Sequence, residues 1–177
     1  MGIGMRLYMA PDCDLGAFAG APKTLQLWLR AHHPGPDVTL HEHWLDLHHI
    51  LAGPTSTAPV TALMPDGADW VYPAAADRGA HALSSTATET LARALDQVDR
   101  SRVEAYIQRR RQGGPPGEPQ ELTPEQVSAA VEELLPYLGR LRETAALAAQ
   151  KRYGLLMALW VEEPQPSAVS HQPSAKG

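Results

Sequence analysis

The sequence predicts an α+β fold, mostly helical and built as a single domain, in which a small sheet carries both the first and the last strand. Three observations carry that expectation. Ile3, Met5, Leu7 and Met9 alternate with Gly4, Arg6, Tyr8 and Ala10, and a period of two over this length is that of a strand. Residues 153–161 are an almost unbroken apolar run of strand length, as expected of a strand buried on both faces and therefore central in its sheet. Between them, several segments repeat leucine, valine and tryptophan at three- and four-residue steps, the spacing of a helix face.

Residues 11–21 read as a turn with a short helical piece around residues 15–18. Residues 24–31 are expected to form a helix with Leu25 and Trp28 or Leu29 inward, stopped by the loop His32-His33-Pro34-Gly35-Pro36-Asp37. In residues 40–53, Leu40, Trp44, Leu47, His48 and Leu51 fall on one helical face, and Gly53-Pro54 supplies the stop. Residues 60–64 and 70–72 are candidate strands of a hairpin across Asp66-Gly67, and a second loop follows over residues 73–81. Thr86 with Glu89, and Ser101 with Glu104, have the spacing of reciprocal helix caps. They open helices whose inward residues are Leu91, Leu95 and Val98, then Val103, Tyr106 and Ile107.

Residues 113–119 are a Gly- and Pro-rich breaker. Thr123-Pro124-Glu125-Gln126 then supplies a cap, a proline suited to the first turn and a reciprocal glutamine. The helix that follows buries Val127, Ala130, Val131, Leu134, Leu138, Leu141 and Ala145, and Pro136 is expected to kink or break it. The folded domain is expected over residues 1–162, with residues 163–177 a disordered, Pro- and Ser-rich tail.

Composition excludes several classes. The net charge of −5 opposes a nucleic-acid surface, which depends on clustered cations; Arg109-Arg110-Arg111 reads as a solvated helix end. One cysteine, Cys13, flanked by Asp12 and Asp14, permits no internal disulfide and disfavours a reactive thiolate. No apolar run approaches the length of a membrane span and no secretory leader opens the chain, so the expectation is a cytoplasmic protein with no membrane partner. Twelve arginines against three lysines, with abundant Ala, Gly and Pro, suit a GC-rich bacterial genome.

Several stretches together resemble the YfbM-like family, small bacterial proteins grouped as a domain of unknown function. They are the opening Met1-Gly2-Ile3-Gly4-Met5, the segment Trp44-x-x-Leu47-His48-x-Ile50-Leu51-x-Gly53, and Ala148-Ala149 leading into Leu155-Leu156-Met157-Ala158-Leu159. The resemblance spans roughly residues 1–161 and departs at residues 39–43 and 109–119, where family members carry acidic segments. It implies an α+β fold and no assigned reaction.

Chemistry, if present, is expected among the histidines. His32, His33, His41, His43, His48 and His49 lie close in sequence, but their intervals match no metal-binding pattern, so neither a metal nor a cofactor is expected. His48, on the face of Trp44 and Leu51, reads first as a packed core residue and second as an acid or base, with His41 as its companion. Trp44 and His48 are the candidate binding residues. No nucleophile elbow, phosphate loop or Cys-x-x-Cys is present. Two classes follow: a non-enzymatic binding or interaction protein with a protein or small-molecule partner, and a small enzyme using histidine acid–base or metal chemistry.

Overall fold

The two strands predicted from alternation and from the late apolar run lie side by side. The computed structural model describes residues 2–18, 21–32, 37–52, 70–75, 78–112 and 122–162. β1 (Gly2–Ala10) pairs antiparallel with β5 (Gly154–Glu162) over its whole length, from Gly2 opposite Glu162 to Ala10 opposite Gly154. β4 (Arg78–Leu83) flanks β5 on the other side, with β3 (Trp70–Ala75) beyond it. The two-residue β2 (Val38–Thr39) pairs with β1 and closes the opposite edge. Among the described residues the order is β2-β1-β5-β4-β3, so β5 is the middle strand, as its apolar run predicts.

Strand side chains alternate between two apolar layers, and this explains why β5 carries almost no polar residue. Met5, Leu7, Leu155 and Met157 face the larger layer. It is completed by α3 (Trp44–Ala52), α4 (Ser85–Asp96), α5 (Arg100–Gln112) and α6 (Pro124–Lys151). Tyr8, Ala10, Ala80 and Leu156 face the smaller layer, filled by α1 (Asp12–Phe18) and α2 (Pro22–His32). Because the sheet offers mainly small residues there, large aromatics can close the gap. Phe18 and Trp28 meet edge to face at 5.2 Å, and the Trp28 indole N–H donates to Asp14 Oδ2 at 3.0 Å.

Helix ends are fastened by side chains. Thr123 and Gln126 form the predicted reciprocal cap of α6, with Pro124 in its first turn. For α4 and α5 the caps stand two residues earlier than the spacing suggests: Ser84 Oγ accepts from Ala87 N–H, and Asp99 Oδ1 accepts from Arg102 N–H. The Asp12 carboxylate also accepts from Ser85 N–H at 2.8 Å and Ser85 Oγ–H at 2.6 Å, tying α1 to the start of α4. Two arginines serve the other ends. Arg102 donates to the carbonyls of Ile50 and Leu51 at the end of α3, and Arg142 to those of Leu95 and Val98 after α4.

Two expectations are corrected. Residues 78–83 belong to a strand rather than a loop: Arg-Gly-Ala-His-Ala-Leu has few β-branched residues, but pairing with the central β5 outweighs its weak local preference. Consequently β3 pairs with β4, Trp70 opposite His81, whereas residues 60–64 lie outside the described residues. Pro73 is tolerated within β3 because that strand is the outermost of the sheet among the described residues. Pro136 does not break α6, which runs unbroken from Pro124 to Lys151. Pro136 is exposed, so the carbonyl deprived of its N–H partner can be hydrated. The breaker at residues 113–119 and the tail at residues 163–177 lie outside the described residues, as do the turn at Asp66-Gly67 and the stop at Gly53-Pro54.

Candidate functional site

The sheet edge and the histidine-bearing segment meet at one corner. Leu40, fully buried, donates its N–H to the Met5 carbonyl at 2.9 Å and ends β2 against β1. The chain then turns sharply through His41, whose φ of 45° is in the left-handed region, and a single 3₁₀ turn (His41–His43) leads into α3. A non-glycine residue there costs on the order of 1–2 kcal/mol, offset here by the buried anchors Leu40 and Trp44 on either side. The turn aims its histidines at α6. The His43 ring lies 4.4 Å from that of Tyr137, with Nε2 3.6 Å from Glu133 Oε1, and the His41 ring meets Tyr137 edge-on at 6.3 Å.

Along α3 the buried face is turned further than the leucine spacing suggests. Trp44, Leu47, Ile50 and Leu51 are buried, as is Asp46. The centre of this face is nearer Leu47, which moves His48 to its margin, where it is half-buried. The expectation that His48 projects into the same interior as Trp44 and Leu51 is corrected to that extent. Tyr106 of α5 donates its hydroxyl proton to Asp46 Oδ1 at 2.8 Å, giving the buried carboxylate a partner. His49 lies nearly parallel to the Tyr106 ring at 6.3 Å, and His48 packs edge-on against His49 at 5.3 Å.

The histidines of this segment are thus divided, His41 and His43 against Tyr137, His49 against Tyr106, and His48 against His49. Trp44, 8% exposed, is core. Among the described residues no three His, Cys, Asp or Glu side chains stand close enough to hold a metal ion together. His33 and the side chain of His32 lie outside the described residues.

The same corner opens into a cleft of about 410 Å³ between β2 and α6, lined by Asp37, Val38, Thr39, Arg140, Glu143 and Thr144. Tyr137, Arg140 and Thr144 follow at three- and four-residue steps on α6, so the cleft continues the side of that helix which His43 touches. Asp37 is held at the rim: its Oδ2 accepts from Met9 N–H at 2.6 Å and its own N–H donates to the Leu7 carbonyl at 2.9 Å. Thr144 is 8% exposed. Arg140 and Glu143 are exposed, so both charges are open to water. Nothing in the sequence singles these residues out, because the cleft joins two segments distant in the chain and each looks locally like an ordinary polar loop or helix face.

No protein-family model matches the sequence, and no curated protein matches it. Among solved structures, the crystal structure of YfbM from Escherichia coli, a protein of unknown function, matches with a TM-score of 0.59. The match is 11% identical and covers 90% of this chain and 99% of that one. The chain has the fold of YfbM. At this identity the likeness carries the architecture alone, and it bears out the resemblance read from the opening strand, the Trp44 segment and the closing helix and strand. YfbM brings no activity with it. Nor is any helix among the described residues long and apolar enough to cross a membrane.

Proposed function

We propose that this chain is a non-enzymatic binding protein of a bacterial cytoplasm, and that its binding site is the cleft between β2 and α6. One observation carries the reading: a cleft of about 410 Å³ between β2 and α6, lined by Asp37, Val38, Thr39, Arg140, Glu143 and Thr144. A volume of this order suits a small ligand, and charged side chains at its rim can orient one. The acidic balance of the chain and the lack of a catalytic motif support binding over turnover. The test is titration of ¹⁵N-labelled protein with the small-molecule fraction of a bacterial lysate. Amide shifts concentrated at residues 37–39 and 140–144 are expected; shifts confined to other surfaces would overturn the assignment.

A second reading keeps the histidines as acid or base in a small enzyme. It is favoured by the position of His41 and His43 beside Tyr137, one helical turn from Arg140. Consumption of a lysate metabolite by the protein, abolished in His41→Ala or His48→Ala, would establish it.

A further inference from the structure

We draw no further inference here: the strongest candidate, the side-chain cluster of Asp46, His49 and Tyr106 between α3 and α5, is accounted for as a tie between those two helices, its buried carboxylate accepting from the Tyr106 hydroxyl at 2.8 Å, and nothing among the described residues points to a ligand there.

Discussion

Replacing Gly154 by alanine places a methyl group where β5 begins, against the Leu83 carbonyl oxygen and the Leu15 side chain, with Asp12 Oδ1 3.1 Å away. The Leu15 methyl belongs to a side chain that can rotate, but the Leu83 oxygen belongs to the backbone of the strand paired with β5. Overpacking a filled site costs about 1–3 kcal/mol where side chains yield, so a backbone obstacle places this substitution near about 3 kcal/mol. For a chain of this length that corresponds to a loss of roughly 6–12 °C in thermal midpoint.

Gly139 is the internal control. It lies inside α6 and an added methyl there meets nothing within 4 Å, so Gly139→Ala removes backbone freedom from the unfolded chain without a clash. It is expected to stabilise by about 0.5–1 kcal/mol. Urea denaturation of both variants, read from the midpoint at unchanged slope, measures the two effects on one scale. A Gly154→Ala protein within about 0.5 kcal/mol of the native chain would refute the packing of β4, β5 and α1 described here, since a neutral result is the norm only for surface sites.

Two further outcomes are expected. Arg152 ends α6 with a φ of 55°, its N–H and that of Tyr153 donating to the Ala149 and Ala148 carbonyls, so Arg152→Gly should raise stability by about 0.5–1 kcal/mol in the same assay. Tyr8 has its pKa raised above the ordinary tyrosine value chiefly by burial, with Arg6 pulling it partly back. The folded chain therefore holds this proton more tightly than the unfolded one. That contribution is fully present below about pH 10 and is lost as pH rises through the higher folded value, so the native chain should weaken there in denaturation titrations and Tyr8→Phe should weaken less.

What could be read in the sequence was what depends on local periodicity. The alternation of β1, the leucine and valine steps of α6 and its Thr123–Gln126 cap are each contained in one segment, and each is found as expected. The apolar run of β5 also revealed its place in the sheet, because burial on both faces removes the need for polar residues. β4 could not be read this way: Gly79, Ala80 and Ala82 have little strand preference of their own and are held by β5. The margin position of His48 depends on how α3 rolls under Tyr106 and Arg102 of α5, a tertiary contact that no spacing records. The cleft is of the same kind, because Asp37 and Arg140 become neighbours only through the packing of α6 over the sheet edge.

The middle position of β5 has a consequence for synthesis. β1 leaves the ribosome first, yet its long neighbour comes last, with Gly2 waiting for Glu162. At ordinary elongation rates the wait is roughly 10–30 s. Throughout it β1 and β4 each lack the neighbour that covers one of their edges in the folded sheet. A chain cut short before Gly154 would keep both edges open permanently. Such edges recruit strands from other molecules, so premature termination of this protein should yield aggregates rather than a smaller folded product.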